Sequence, residues 1–334
     1  MKAAFIDRVG PPDVIRVGAL PDPRPEADQV LVRVRACAVN PIDTYVRAGS
    51  VAMPLPFPFV VGCDLAGEVV AVGPGVTNLK VGDRVWGSNQ GVLGRQGTFA
   101  ELAAVDAEWL YPTPSGVGDR DAVAAALVGI TAWLGLVKHA ALQPGETIVV
   151  SGASGGVGSM VVQMAKLLGA RVIAVAGTDA GLTHVAALGA DAVVDRRCLG
   201  GGDALAARLK AVAPEGVHVW WEALREPDFD TAIGLLADEG RMVLMAGRDA
   251  RPPFPVGPFY VKQAKLMGFV MFKATPEVQV AAAHDINGWL ASGRLRAPIG
   301  SVLPLAETAA AHRLQEEATI SRQGPLLGKI IVEP

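Results

Sequence analysis

Two rhythms of apolar residues divide the chain. From Met1 to about Ala126, apolar residues come in short runs cut by glycine, proline and aspartate. Val30, Val32 and Val34 alternate with Leu31, Arg33 and Arg35, the two-residue period of a half-buried strand. Strands are predicted at Met1–Asp7, Gln29–Val39, Gly62–Val72, Gly82–Trp86 and Thr98–Val105, with a proline-rich connection at Pro21–Pro25. Such spacing of short strands and turns suits a compact all-β barrel or sandwich.

From Asp121 the rhythm changes. Ala122–Leu127 and Thr131–Val137 read as helices, and from Thr147 strands alternate with helices. Strands are predicted at Thr147–Val150, Arg171–Ala176, Ala192–Asp195, Val217–Glu222, Arg241–Ala246 and Leu266–Phe272. Helices are predicted between them at Val157–Leu168, Gly181–Leu188, Asp203–Ala213, Phe229–Leu236 and Pro258–Gln263. Strands joined by crossover helices make a doubly wound parallel sheet of the Rossmann kind, so the fold class is α/β. An amphipathic helix at Thr275–Ser292 follows, then a strand, a helix and a closing strand at Lys329–Val332. The parallel sheet is complete without this tail, which is expected to return to the first domain. The expected division is 1–126, 127–272 and 273–334.

The most informative stretch is Glu146–Gly158. Its β-branched strand breaks at Ser151 and Gly152, and a helix follows with Met160, Val161, Met164 and Leu168 at helical spacing. Ala153, Gly155 and Gly158 fill the three small-residue positions of a dinucleotide fingerprint. Small residues there let a pyrophosphate approach the backbone N–H groups at a helix N-terminus, contributed by Ala153, Ser154, Gly155, Gly156, Val157 and Gly158. A second strand, Arg171–Val175, follows at the right distance. After it comes Ala176-Gly177-Thr178, without the acid that holds the ribose hydroxyls of NAD, so a 2′-phosphate has room and NADPH is the expected cofactor.

Composition narrows the classes. A formal net charge of −3 over 334 residues gives no reason to expect nucleic acid. The apolar run at Met1–Phe5 is too short for a secretory signal, and no stretch reaches the length of a membrane span. Cys37, Cys63 and Cys198 are odd in number and scattered, which points to reduced thiols and a cytoplasmic protein. The five histidines, His139, His184, His218, His284 and His312, show no ligand spacing and read as ordinary polar residues, and Trp220 and Trp221 as core packing.

Asn40-Pro-Ile-Asp-Thr-Tyr45, Gly62-Cys-Asp-Leu-Ala-Gly67, Val81-Gly-Asp-Arg-Val85, Gly152-Ala-Ser-Gly-Gly-Val-Gly158 and Gly328-Lys329 stand in the order of one family. Over essentially its whole length the chain resembles the medium-chain dehydrogenase/reductase superfamily, in its zinc-free quinone oxidoreductase branch, the zeta-crystallin-like proteins. The resemblance implies a GroES-like catalytic domain with a nucleotide domain inserted before its last stretch, and a homodimer or homotetramer. It also implies reduction of quinones, or of activated alkenes (alkenals and enones), with NADPH in a cleft between the domains. Zinc members place a cysteine where Asn40 stands and a histidine where Cys63 stands. Asn40 is a poor ligand, Asp64 alone cannot hold the ion, and there is no four-cysteine lobe, so no metal is expected. The rival readings are a zinc alcohol dehydrogenase and a non-catalytic NADPH-binding module.

Without a metal, the substrate oxygen must be activated by hydrogen-bond donors. Asn40, through its amide N–H, and Tyr45, through its phenol, are donors on a loop after a predicted strand. The resemblance places both at the nicotinamide end of the cleft. Asp43 is a general base or a helix-capping, structural carboxylate. The resemblance also points to Thr131 near the nicotinamide, Met245, Ala246 and Gly247 as a loop over the ring, and Phe269, Val270 and Met271 against the carboxamide. It makes Lys329 a cofactor-facing lysine or a surface salt bridge. NADPH-binding relatives hold the phosphate with a lysine where Gly181 stands and with a later aromatic or basic residue, the position of Arg196. Arg196 offers a two-pronged fork, whereas Asp179 opposes a phosphate.

Overall fold

The computed structural model describes residues 1–197, 202–321 and 327–334. Cys198 lies outside the described residues. The chain divides into two compact units, one made of Met1–Ile130 and Ala274–Pro334, the other of Thr131–Lys273.

In the first unit the strands are β1 (Lys2–Ile6), β2 (Arg16–Ala19), β3 (Gln29–Ala38), β4 (Phe59–Val60), β5 (Leu65–Val72), β6 (Arg84–Gly87), β7 (Leu102–Asp106) and β8 (Leu110–Pro112). β3 organises them, pairing antiparallel with β5 and with β7. Val30, Val32 and Val34 are buried, as their alternation requires, and Cys37 and Ala38 are buried beyond them. Short β2, β4 and β8 lack a readable period and escape the sequence pattern. A helix, α1 (Pro41–Ala48), follows β3 where a loop is expected. Its signals are local: Pro41 at the first helical position, Asp43 accepting from the N-cap N–H of Asn40 at 2.8 Å, and left-handed Gly49 (φ 75°) at the end.

Next come α2 (Asp119–Ala124) and α3 (Ala126–Trp133), which carries the chain into the second unit and continues as a π-helical turn, Leu134–His139. The apolar run there is unbroken, so periodicity cannot mark the ends. Gly135 lets the turn lie against Trp221, since a Cβ would fall 2.2 Å from the indole.

The second unit is a six-stranded parallel sheet of β9 (Thr147–Ser151), β10 (Arg171–Ala176), β11 (Ala192–Asp195), β12 (Val217–Glu222), β13 (Leu236–Leu244) and β14 (Lys265–Gly268). Their order, β11-β10-β9-β12-β13-β14, is doubly wound with its reversal between β9 and β12. The helices are α4 (Gly156–Leu167), α5 (Asp179–Ala187), α6 (Gly202–Val212), α7 (Phe229–Leu235) and α8 (Val256–Val261). Val149, Ile173, Trp220 and Met242 pack with Leu209, Phe229 and Ile233 into one buried cluster. Each such side chain contributes about 1.5–3 kcal/mol on burial. β13 starts five residues earlier than its periodicity implies, because Leu236 pairs with Val217 across a register shift. β14 is an edge strand and stops at Gly268, opposite Leu244.

The tail, α9 (Pro276–Ala291), β15 (Ile299–Pro304), α10 (Thr308–Glu316) and β16 (Lys329–Glu333), belongs to the first unit. β16 pairs with β3, Ile331 opposite Ala38, and β15 pairs with β16.

Candidate functional site

Within the second unit, parallel strands bring the turns that follow them to one edge of the sheet. The turn after β9 is held by Ala153 N–H donating to Val175 O at 3.1 Å. Gly158 packs so closely that a Cβ would lie 2.3 Å from Gly152 O and 2.8 Å from Ala153 Cα. At the N-terminus of α4, Gly155 offers no side-chain cap and the first turn carries no acid. Its N–H groups are therefore open to an anion. Ser154 lies beside Gly181, whose Cβ would meet the Ser154 hydroxyl at 3.1 Å and the Thr178 hydroxyl at 2.9 Å. Thr178 uses that hydroxyl to cap α5, accepting from Gly181 N–H at 3.0 Å. A side chain at 181 would disturb this cap, which is a physical reason for glycine there.

Arg196 and Arg197 have different surroundings. Arg197 is paired with Asp195 at 2.9 Å and with Asp179 at 2.5 Å. Arg196 is exposed, makes no ion pair among the described residues, and stands over Gly177, where a Cβ would lie 3.0 Å from its Nη2. The guanidinium is thus available beside the end of β10, and Asp179 is already offset by Arg197. Met245, Ala246 and Gly247 follow β13 on the same edge, with Met245 N–H on Glu222 O at 3.0 Å. Phe269 and Val270 follow β14; Phe269 stacks on His139 at 4.4 Å, and Met271 is buried. Thr131 is buried in the body of α3 instead of at a helix start. These residues fit a dinucleotide: an open helix end, a cradle no Cβ may fill, and an unpaired cation.

The first unit holds a buried polar network. Asn40 is fully buried and its amide is engaged on both sides. Nδ2 donates to Asp64 Oδ2 at 2.7 Å and to Ala38 O at 3.2 Å, while Oδ1 accepts from Lys329 Nζ at 2.5 Å. Lys329 Nζ also donates to Val39 O at 2.7 Å. Lys329 is therefore an inward, buried ammonium and not a surface salt bridge. With both amide hydrogens used inside the protein, Asn40 positions its neighbours and is not a free donor. That corrects the expectation drawn from its residue type alone. Tyr45, five residues on, is half-buried in α1 and its phenol makes no hydrogen bond among the described residues. Among Asn40, Asp43 and Tyr45, it is the donor left for a ligand.

Asp43 and Asp64 are buried, and each has one carboxyl oxygen without a hydrogen-bond partner. Burial pushes Asp43 up to about 7, against the Cys63 thiol, which donates to it; Asp64 adds to the rise, and the Asn40 N–H and Lys329 oppose it. Asp64 is raised and Lys329 lowered, both chiefly by burial. Cys63 is fully buried, as a small apolar residue would be, but its thiol serves this network. Trp220 and Trp221 are core residues. His312 departs from an ordinary polar histidine: it is fully buried and pushed down to about 3 by burial and Arg47.

Family models match in both halves: the alcohol dehydrogenase GroES-like domain over residues 26–115 and the zinc-binding dehydrogenase over residues 156–285. A quinone oxidoreductase of Sus scrofa is 32% identical, the match covering 93% of each chain. The chain belongs to the medium-chain dehydrogenase/reductase superfamily, in its zeta-crystallin-like quinone oxidoreductase branch. Solved members of the superfamily are similar throughout. The Escherichia coli quinone oxidoreductase complexed with NADPH has a TM-score of 0.86 at 25% identity, covering all of both chains. An NAD-dependent alcohol dehydrogenase has a TM-score of 0.88 at 29% identity, again over both whole chains.

The name of the second family model raises zinc, and the residues of this superfamily member do not fit it. Asn40 is spent on Asp64 and Lys329, so an ammonium already stands against the amide oxygen. Among the described residues, no three His, Cys, Asp or Glu side chains are grouped to hold a metal ion.

The buried carboxyl of Asp43 has a consequence for stability. Its folded pKa, about 7, lies above the ordinary 3.8, so its contribution is complete below 3.8 and is lost as pH rises through about 7. Asp43→Asn keeps an oxygen for the Asn40 N–H and removes the titration. The parent's melting temperature is expected to fall between about pH 4 and 8 relative to the variant's. Parallel curves from thermal unfolding across that range would show that Asp43 is ionised throughout.

Proposed function

We propose that this protein is a zinc-independent NADPH:quinone oxidoreductase. The observation that carries the reading is Tyr45, a half-buried phenol with no hydrogen-bond partner among the described residues, set on a helix whose N-cap is fixed by a closed polar network. Bound NADPH supplies a hydride. As the quinone accepts it, negative charge grows on an oxygen, and the Tyr45 O–H donates to that oxygen. Asn40 and Asp43 hold α1, and the hydroquinone anion takes its proton from water. Ala153 to Gly158, with the open end of α4, bind the pyrophosphate. Gly177 and Thr178 leave room for the 2′-phosphate, and Arg196 forks it. Met245 to Gly247, Phe269 to Met271 and Thr131 would hold the nicotinamide end. The names of the curated relatives support the substrate class.

The test is oxidation of NADPH with 1,2-naphthoquinone, 9,10-phenanthrenequinone and an alkenal at neutral pH, alongside metal analysis. Turnover of the quinones with substoichiometric zinc is the expected result. Turnover of the alkenal alone would move the assignment to enone reduction, in which charge also develops on a carbonyl oxygen. No turnover with any of them would leave an NADPH-binding module. The odd, scattered cysteines support a cytoplasmic location, and the resemblance supports a homodimer. No described helix is long and apolar enough to cross a membrane. Support for the dimer comes from edge strand β14 and from Val256, Tyr260, Val261 and Val270, all exposed in the second unit. Sedimentation at several concentrations tests it.

Cofactor choice gives a further expected result. Arg196→Ala should weaken NADPH by about 10-fold, near the lower end for a charge-assisted fork because Arg196 is exposed, and leave NADH almost unchanged. Added salt should shrink the difference. Asp179→Ser should tighten NADPH, because it removes a like charge and leaves Arg197 held by Asp195 alone. Fluorescence titration with both nucleotides decides this. Equal losses of NADPH and NADH in Arg196→Ala would assign the arginine to the adenine side or to the fold.

A further inference from the structure

Lys329 raises a question that the proposed reaction does not answer. A buried ammonium is costly unless it is paired and fully hydrogen-bonded. Here it is carried on the last strand of the chain yet bonds Val39 O and Asn40 Oδ1, at the junction of β3 and α1. The charged and titratable groups around it come from three places: Asp43 on α1, Cys63 and Asp64 in the turn before β5, and Cys37 on β3 beyond them. Two carboxyls therefore face one ammonium. The amide of Asn40 bridges them, its oxygen on the lysine and its N–H on Asp64. Its backbone N–H is held in turn by Asp43, which starts the helix that carries Tyr45. Every link in this chain is a hydrogen bond between buried groups, and none of the lysine's hydrogen bonds leads to solvent.

We propose that Lys329 is a positioning residue: its ammonium is the internal counter-cation of the Asp43–Asp64 pair, and by orienting the Asn40 amide it sets α1 and the Tyr45 phenol for reaction. This role rests on the quinone reductase reading for its catalytic part. Its charge-balancing part stands without that reading.

The experiment compares Lys329→Met, the double variant Asp64→Asn/Lys329→Met and the parent. Removing the lysine alone leaves two buried carboxyls uncompensated, so from pH 5 to pH 8 the melting temperature of Lys329→Met should fall more steeply than the parent's. A lysine that only fills space would give a loss independent of pH, and that result would overturn the proposal. The double variant removes one charge of each sign, and is expected to fold and to regain most of the melting temperature at pH 8. A double variant that stays unfolded there would also overturn it.

The double variant still lacks the grip on Asn40. Its kcat with NADPH and 9,10-phenanthrenequinone should be about 10- to 100-fold below the parent's, the scale of a misplaced group, with NADPH affinity unchanged. Parental kcat in the double variant would reduce Lys329 to a counter-charge and sink the positioning role. An NADPH affinity that falls as far as kcat would instead make Lys329 a cofactor ligand. Should the parent itself fail to turn over quinones, the quinone reductase reading fails, while the pH dependence of stability still decides the charge-balancing part.

Discussion

Tyr45→Phe is expected to lower kcat with 9,10-phenanthrenequinone by about 10²- to 10³-fold, the usual effect of removing one donor aimed at a developing oxyanion. The substitution deletes a single oxygen. Because the phenol has no hydrogen-bond partner among the described residues, none of them is left unpaired when it goes. The ring stays half-buried on α1, so the melting temperature should move by no more than about 0.5 kcal/mol equivalent. NADPH affinity should stay at the parent value, since the nucleotide is assigned to the second unit. Steady-state kinetics with a parallel nucleotide titration decides the matter. A variant with near-parental kcat would remove Tyr45 from the chemistry, and the hydrogen bond to the developing oxyanion would then have to come from water.

Gly158→Val should abolish NADPH binding and cost the fold about 1–3 kcal/mol or more. The reason is backbone, and backbone does not yield cheaply. A Cβ at 158 would fall 2.3 Å from the carbonyl oxygen of Gly152 and 2.8 Å from the Cα of Ala153. Either α4 moves away from β9 or the turn opens, and both changes take the N–H groups from the positions that face an anion. Gly155→Ala is the control. Its Cβ would meet Gly152 O at 3.4 Å, ordinary contact, and its φ of −73° suits alanine. That variant should keep the parental melting temperature, so any loss it shows in NADPH titration reports on the ligand alone. If Gly158→Val binds NADPH with parental affinity, the fingerprint turn is merely structural.

The nucleotide half was legible because its signals are local. β10, β11 and β12 begin and end where the β-branched runs do, at Arg171–Ala176, Ala192–Asp195 and Val217–Glu222. Strands buried on both faces must be apolar throughout, and the glycine turn needs small residues at set offsets whatever surrounds it. The helix α1 escaped, although Asn40-Pro41 and Asp43 are start signals, because the motif that contains them reads more easily as a loop. The limits of α3 and its π-helical continuation escaped as well, because a run without polar residues carries no period.

The sequence by itself determined the two-unit organisation, the order of strands and helices in the parallel sheet, and a dinucleotide cradle between β9 and α4. It also placed Asn40, Asp43 and Tyr45 together. Only the tertiary structure decided what each of them bonds. Residue type makes Asn40 a donor, but the fold spends its amide on Asp64 and on Lys329, 289 positions along the chain. The same long-range packing turns Lys329 inward, buries His312 beside Arg47, and leaves Arg196 with no ion pair among the described residues while Arg197 is taken by two aspartates. Periodicity reports whether a position faces water, because apolar burial depends on area and not on partner. Hydrogen bonds and buried charges depend on which group stands opposite, and that is settled when distant segments meet.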